Sequence, residues 1–319
     1  MKAIMYEKSG SSALLVAREA KKPMPKGDEA LVRIHAASLN AADYRSMRMG
    51  IIPKSRIFGA DIAGVVEAVG PECGRWKVGD EVFGDTSGCG FGGFAEYAAV
   101  PEGVLARKPA GPTFAEAAAV PMAATTALQA LRDKGAIRAG QKVLICGAGG
   151  GVGTYAVQLA KRFGGETTAV CGTANAELVR SLGADRVIDY TKEDLRILPG
   201  RYDLVVAVNG KLPLSVYRAL LAPKGVLVTV GGGLSQVFAS LLIGPFLSLG
   251  GQKFLTLAAK PSVPDLDFLI GLVAEGKLRP VIERRIPLSG VPDAMRYLEQ
   301  GHARGKIVVD LAGEDAARS

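Results

Sequence analysis

The sequence predicts an α/β protein of two modules, a doubly wound parallel sheet with helices on both faces and a smaller, partly barrel-like antiparallel β domain. Three observations carry this. Residues 141–163, QKVLICGAGGGVGTYAVQLAKRF, read as strand, glycine turn and helix. The segments that follow alternate strand and helix, and the first 110 residues instead hold short β-type runs punctuated by Gly, Pro and Asp.

The strand–turn–helix stretch justifies the first element. Lys142 and the run Val143-Leu144-Ile145-Cys146 have the composition of a short buried strand, and Val152, Ala156, Val157, Leu159 and Ala160 then recur at helical spacing. A helix entered straight from such a turn points unpaired N–H groups and the positive end of its dipole at whatever lies over the turn, which favours a phosphate. Ala148-x-Gly150-x-x-Gly153 is the dinucleotide-binding spacing with alanine in the first place. Ala148 serves the tight turn, Gly150 the approach of a pyrophosphate, and Gly153 the close packing of helix on strand. Gly149, Gly150, Gly151, Val152 and Gly153 are therefore candidate cofactor contacts.

The later elements keep the rhythm: strands at 167–171, 186–190, 204–208, 226–230 and 254–258, helices at 176–181 and 216–221. Such alternation means a parallel sheet covered on both faces. Val230-Gly231-Gly232 follows the fifth strand at the carboxyl edge, where ligands bind, so its backbone is expected beside a nicotinamide.

The end of the second strand reads Cys171-Gly172-Thr173-Ala174, without the Asp or Glu that takes the ribose 2′-hydroxyl of NAD. That favours NADP(H). Gly172, Thr173, Arg180 and Tyr190 are the candidate surroundings of the 2′-phosphate, with Lys192 nearby, although no basic residue follows the strand directly. Arg180 and Lys192 are equally compatible with solvated surface charges.

Length and composition set the bounds. A chain of 319 residues with 48% hydrophobic and 22% charged residues suits a globular protein of two domains. The start, MKAIMYEKSG, is charged and lacks an apolar h-region, and residues 234–249 are interrupted by glycine, proline and polar residues. The expectation is a soluble cytoplasmic protein. The net charge of +8 is scattered without a dense run and aromatic residues are 6%, so nucleic-acid binding is a minor hypothesis beside a phosphate-rich cofactor. Cys73, Cys89, Cys146 and Cys171 never form a CxxC spacing and read as reduced, structural residues.

In the first module, β-type runs fall at 30–34, 62–69, 81–83 and 94–100. The alanine-rich stretch 114–131, broken by Pro121, is the crossover between modules. After residue 258 come a helix at 266–275, a β-like segment at 281–287, a helix at 292–300 and a strand at 307–311, a tail expected to return to the first domain. The domain reading is 1–120, 121–258 and 259–319, with residues 313–319 a disordered end.

Several motifs then carry a resemblance. Asn40-Ala-Ala-Asp43, the run from Gly59-Ala60-Asp61 to Gly70, Val78-Gly-Asp80-Glu-Val-Phe-Gly84, Gly92-Gly-Phe-Ala-Glu96-Tyr, the glycine turn and Gly301-His-Ala-Arg-Gly-Lys306 occur in that order. From Met1 to about Leu311 the chain resembles the medium-chain dehydrogenase/reductase superfamily, and within it the zinc-free quinone oxidoreductase branch. The resemblance implies a GroES-like catalytic domain, discontinuous in sequence, a Rossmann domain inserted into it, an active site in the cleft between them, and pairing into a homodimer through the sixth strand, for which residues 246–257 are apolar enough. Thr126 resembles the threonine that approaches the nicotinamide end in relatives, helix packing being its other reading, and Arg304 and Lys306 read either as closing the cofactor cleft or as part of a structural turn.

The residues themselves argue against a zinc site. Zinc takes Cys, His or carboxylate ligands. Zinc-dependent alcohol dehydrogenases, which the chain resembles elsewhere, would carry Cys at Asn40 and His at Ala60, and no four-cysteine lobe lies between Gly84 and Gly93. Only His35 and His302 exist, and His35 falls in the alternation of a strand. Without a Lewis acid, reduction of an activated acceptor is favoured over oxidation of a simple alcohol. A quinone or α,β-unsaturated carbonyl fits, because conjugation delocalises the developing anion while the protein orients, excludes water and donates to the oxygen.

Asn40, Tyr44 and Arg45 are the candidate residues at the reacting end. Each has another reading: Asn40 ties two loops, Tyr44 packs its ring under the cofactor, Arg45 grips a phosphate or ribose. Relatives often carry Trp or another residue at position 44 and Lys or Tyr at 45, so no general acid is fixed and solvent can deliver the proton. Asp43 and Asp61 read as turn-fixing residues. The function expected is an NADPH-dependent, zinc-independent reductase of quinones or related conjugated carbonyls. The alternatives are an enal or enone double-bond reductase and a non-catalytic NADPH-binding sensor or scaffold protein.

Overall fold

The computed structural model describes residues 1–6, 12–198, 201–210, 212–232, 248–301 and 303–311. The expectations placed on residues 234–247, on His302 and on residues 313–319 lie outside these. Packing divides the chain into two units, residues 1–125 with 261–319, and residues 126–260.

The first unit opens with β1 (Lys2–Tyr6) and β2 (Leu15–Glu19), an antiparallel pair. Then follow β3 (Glu29–Ser38), α1 (Ala41–Arg48), β4 (Asp61–Val69), β5 (Glu81–Asp85), β6 (Tyr97–Pro101), β7 (Leu105–Arg107) and α2 (Phe114–Ala119). The alanine-rich stretch continues as α3 (Pro121–Gln129), so Pro121 starts a new helix at the first position, where its missing N–H costs nothing.

The second unit runs β8 (Lys142–Cys146), α4 (Gly151–Arg162), β9 (Glu166–Cys171), α5 (Ala176–Ser181), β10 (Arg186–Asp189), β11 (Tyr202–Val208), α6 (Leu214–Leu220), β12 (Leu221–Val230) and β13 (Lys253–Leu257). The chain then returns to the first unit with α7 (Val263–Ala274), β14 (Ile282–Pro287), α8 (Val291–Glu299) and β15 (Lys306–Asp310).

The second unit's sheet has the order β10-β9-β8-β11-β12-β13, all neighbours parallel. In the unit's own strand order this is 3-2-1-4-5-6, and it reverses between β8 and β11, which is where a doubly wound sheet binds its ligand. Val143, Leu144, Ile145, Leu204, Val205 and Val206 in those two central strands are fully buried, as strands covered on both faces must be. Where the chain enters and leaves this unit, Gln129 Nε2 donates to Lys260 O at 2.9 Å and Lys260 N donates to Gln129 Oε1 at 3.0 Å.

The first unit's sheet has the order β14-β15-β3-β4-β5-β7. β3 holds it together: residues 29–33 pair with β6 and residues 36–38 with β15, both antiparallel, while the other edge pairs with β4. One long strand thereby ties the amino-terminal part of the chain to its last strand. Tyr6, Phe58 and Phe94 lie fully buried within this unit's core, with Tyr6 and Phe58 rings edge to face at 5.3 Å. His35 stacks on Phe114 at 4.4 Å between ring centroids. α1 was not foreseen from the sequence, since its eight residues offer too short an apolar pattern to be read as a helix.

Candidate functional site

The glycine turn of the second unit sits at the switch point of its sheet. Gly147 follows β8, and a Cβ on it would stand 2.6 Å from the carbonyl of Val208 at the end of β11. Gly150 is the N-cap of α4 with extended backbone, and Thr154 N donates to its carbonyl at 3.0 Å. Gly153 is where helix and turn touch: a Cβ there would lie 2.1 Å from Gly147 O and 2.7 Å from Ala148 Cα. No side chain fits. A Cβ on Gly150, by contrast, would meet nothing closer than 3.7 Å, so the fold leaves its face open for a ligand. Val152 is half-buried in the first turn of α4, and the first-turn N–H groups with the positive end of the helix dipole form an anion cradle. The residues present fit a dinucleotide pyrophosphate.

Beside this cradle, β9 ends at Cys171 and pairs in register with Asp189, the last residue of β10. The Thr173 hydroxyl donates to Asp189 Oδ2 at 2.5 Å, and the Thr191 hydroxyl and backbone N–H donate to Asp189 Oδ1 at 2.7 and 3.0 Å. These donors hold the Asp189 carboxyl down at about 2. The end of the second strand carries no carboxylate, as its residues read, and the third strand brings Asp189 beside it. Register, which no local pattern shows, brings it there. The charges of Asp189 and Arg180 both act on the Cys171 thiol, which burial pushes up to about 11. Burial pushes Cys146 up to about 12, so both thiols stay protonated. Tyr190 is exposed, and its Oη lies 3.2 Å from where a Cβ on Gly172 would be. Lys192 Nζ stands 3.8 Å from Asp189 Oδ2. Gly172, Thr173 and Tyr190 are therefore brought together, with Arg180 close enough to act on the same thiol.

At the carboxyl edge, Val230 accepts from Asn209 N at 2.9 Å, and Gly231 and Gly232 both have positive φ, 61° and 119°. Thr126, in α3, is buried at 8% exposure.

The first unit holds a buried polar cluster. Asp61 opens β4 and faces Ser38 of β3 and Asp85 of β5 in register. Its Oδ2 accepts from Ser38 Oγ at 2.9 Å, Asn40 Nδ2 at 2.8 Å and Lys306 Nζ at 3.3 Å, and its Oδ1 from Met122 N at 3.0 Å. Lys306 Nζ also donates to Asn40 Oδ1 at 2.6 Å and Leu39 O at 3.0 Å. Lys306 is 3% exposed and Asp61 fully buried, so this is an ion pair inside the unit. Asn40 N donates to Asp43 Oδ2 at 2.8 Å. Burial raises the Asp43 carboxyl to about 7, against the backbone N–H groups of Asn40 and Gly59. Burial, helped by the Asp61 charge, raises Asp85 to about 6.

Asn40 thus has both ends of its amide engaged, and Lys306 has its ammonium directed at Asn40, Leu39 and Asp61. Asn40 ties two segments together, the second of the readings open for it. Tyr44 is 8% exposed, with the Arg45 and Arg48 guanidiniums 5.9 and 5.3 Å from its ring centre. Arg45 is half-buried, and Arg304 is exposed, its N–H donating to Glu283 Oε2 at 3.0 Å. Among the described residues no group of three or more His, Cys, Asp or Glu is placed to hold a metal ion. Sequence reasoning missed Asp189 and Ser38 as partners. Asp189 was visible only as the end of a strand, and Ser38 carried no signal.

Residues 26–110 match the alcohol dehydrogenase GroES-like domain model, and residues 182–309 match the zinc-binding dehydrogenase model. The chain is 35% identical over 325 residues to the chloroplast envelope quinone oxidoreductase homolog of Arabidopsis thaliana, covering 97% of this chain and 98% of that protein. The chain belongs to the medium-chain dehydrogenase/reductase superfamily, in its quinone oxidoreductase-like branch. It is 36% identical over 329 residues to the chloroplastic NADPH-dependent alkenal/one oxidoreductase of the same plant, covering 97% of this chain and 79% of that one. A solved quinone oxidoreductase from Coxiella burnetii superposes with a TM-score of 0.86 at 28% identity, over 98% of this chain and 99% of that one. The superfamily assignment makes the second unit a Rossmann-type NAD(P)-binding domain and the first a GroES-like domain.

One expectation is overturned. Medium-chain relatives of this similarity include the two chloroplast proteins and a mouse mitochondrial NAD(P)H oxidoreductase, 33% identical. Those relatives are named as chloroplast and mitochondrial proteins, which overturns the cytoplasmic expectation. The charged start and interrupted apolar run therefore did not decide compartment. Among the described residues no helix is long and apolar enough to cross a membrane.

Proposed function

We propose that the protein is a zinc-independent reductase that uses NADPH to reduce quinones or related conjugated carbonyls. The observation that carries this reading is the cradle at Gly149–Gly153: a turn at the sheet's switch point, closed by Gly153 on one side and open at Gly150 on the other. When bound there, NADPH supplies the hydride. The protein's part is to hold the pyrophosphate on the first turn of α4, to place Gly172, Thr173, Arg180 and Tyr190 about the adenosine end, and to bring the Val230-Gly231-Gly232 backbone beside the nicotinamide. Thr126, Arg304 and Lys306 complete the proposed cofactor set. For Lys306 the part is indirect, because its ammonium is buried against Asn40 and Asp61.

NADPH is preferred over NADH in this reading for two reasons. The end of β9 itself, Cys171-Gly172-Thr173-Ala174, carries no Asp or Glu, and Arg180 adds a cation near it. A relative named for NADPH supports the same preference. In the first unit, Asn40, Tyr44 and Arg45 are the residues assigned to the acceptor side. Asn40 sets the backbone at the start of α1, and Tyr44 and Arg45 supply hydroxyl and guanidinium donors to a carbonyl oxygen that gains charge. The proton comes from solvent.

A second reading, reduction of the double bond of an enal or enone, is favoured by the relatives named alkenal/one oxidoreductase and 2-methylene-furan-3-one reductase, both 36% identical. Assembly into a homodimer is proposed through β13, which among the described residues is one of the two edge strands of its sheet and can pair with a second copy. The deciding experiment measures NADPH and NADH oxidation side by side with 1,4-benzoquinone, 9,10-phenanthrenequinone and 2-hexenal. Turnover of NADPH with a quinone supports the first reading, and a preference for 2-hexenal supports the second. Binding of NADPH without reduction of any acceptor overturns both.

A further inference from the structure

Asn175 is the N-cap of α5, yet its side chain does not cap the helix. It lies instead against the glycine turn: a Cβ on Gly149 would stand 2.6 Å from Asn175 Cγ and Nδ2 and 2.7 Å from Asn175 Cβ. The carboxamide thus fills the space that any larger residue at position 149 would need. Its Oδ1 is buried and finds no hydrogen-bond donor among the described residues. Asparagine is among the best capping residues, and leaving a buried acceptor unpaired is costly, so a side chain that forgoes the cap and stays unpaired has a partner to come.

We propose that Asn175 is a cofactor-binding residue whose Oδ1 accepts a hydrogen bond from a ribose hydroxyl on the adenosine half of the dinucleotide. The assignment rests on the dinucleotide reading above and adds a residue to it. Placement favours the adenosine side. Asn175 ends the turn that follows β9, Asn175 N donates to Gly172 O at 2.9 Å, and Thr173 in the same turn is bonded to Asp189. Chemistry selects the partner. An ionised phosphate has no hydrogen to give, whereas a ribose hydroxyl donates, and a hydroxyl on the 3′ carbon is common to NADH and NADPH. Asn175 therefore reads the sugar and not the 2′-phosphate, and its removal weakens both cofactors alike. Gly149 is the matching half of the device, because only a residue without a side chain lets the carboxamide lie on the turn.

The test is dissociation constants of NADPH and NADH, read from nicotinamide fluorescence, for the unaltered protein and for Asn175→Ala, with the thermal midpoint of each without cofactor. The expected result is a loss of about tenfold in affinity for both cofactors. A second measurement guards against a variant that folds poorly: the unaltered protein is titrated with NADH and with its adenosine 2′-deoxy and 3′-deoxy analogues. The 3′-deoxy analogue binds about tenfold more weakly than NADH while the 2′-deoxy analogue does not, and Asn175→Ala shows no such discrimination. Equal affinities in Asn175→Ala and the unaltered protein, or a deoxy penalty that persists in the variant, overturn the proposal while leaving the dinucleotide reading standing. Failure of the unaltered protein to bind NADPH or NADH overturns both.

Discussion

Lys306 Nζ lies 2.6 Å from Asn40 Oδ1, joining the first residue of β15 to the N-cap of α1, 266 positions apart in the sequence. The same ammonium reaches Asp61 Oδ2 at 3.3 Å. The amide of Asn40 therefore works as a bridge, giving its oxygen to the lysine and its nitrogen to the aspartate.

Removing the cation from this bridge leaves a buried carboxylate unpaired. Lys306→Met is expected to destabilise the protein by about 3–5 kcal/mol, the range for breaking a buried pair by deleting one partner. Denaturant unfolding of both proteins checks it. A change under about 0.5 kcal/mol, the size of an ordinary surface substitution, would show that the pair carries no stability.

Asp43 predicts a pH dependence. Burial lifts its carboxyl from 3.8 to about 7 in the folded protein. Between those values the folded state holds a proton that the unfolded chain has released, so this group's contribution is full at low pH and is lost as pH rises towards 7. Asp85, lifted to about 6, acts in the same direction. Asp43→Asn keeps an acceptor for Asn40 N–H and removes the titration. The fall in unfolding midpoint between about pH 4.5 and about pH 7.5 should therefore shrink in this variant. An identical pH profile in the two proteins would refute the assignment.

Two glycines in the turn separate fold from function. Gly153→Ala drives a Cβ to 2.1 Å from Gly147 O, and backbone cannot step aside cheaply, so a loss of about 1–3 kcal/mol in stability is expected. Gly150→Ala meets nothing closer than 3.7 Å. Its thermal midpoint without cofactor should match that of the unaltered protein, and its NADPH dissociation constant should rise about tenfold or more. A Gly150→Ala protein that binds NADPH normally would move the pyrophosphate off this turn.

Charge at the end of β9 and β10 should set the choice of cofactor. Asp189→Asn removes a negative charge next to Thr173 and is expected to raise the kcat/KM ratio of NADPH to NADH several-fold. Arg180→Ala should lower that ratio, with NADH little affected. Steady-state kinetics with both cofactors decide it. Unchanged ratios in both variants would place the 2′-phosphate elsewhere.

Much of the second unit was legible because its signals are local. The apolar run ending at Cys146, the glycines up to Gly153 and the helical spacing of Val152, Ala156 and Leu159 each need only neighbours a few residues away, and the structure has β8, the turn and α4 there. The quinone oxidoreductase-like resemblance was legible for the same reason, in short motifs kept in order. The site was read less completely. Asn40, Asp61 and Lys306 were named one by one, but nothing in their local sequence said that they touch. α1 was missed although it sets Asn40 ahead of Tyr44 and Arg45.

The sequence by itself determined the α/β class, the strand–turn–helix cradle and the want of Cys and His at Asn40 and Ala60, since residue type and period are carried along the chain. Tertiary structure alone decided the pairings. Register between β9 and β10 brought Asp189 to Thr173, the antiparallel match of β3 with β4 set Ser38 against Asp61, and the return of β15 onto β3 delivered Lys306 to Asn40. A strand's face follows from its own alternation, but the residue it meets depends on which strand arrives beside it, and that is fixed only when distant segments bury their surfaces together.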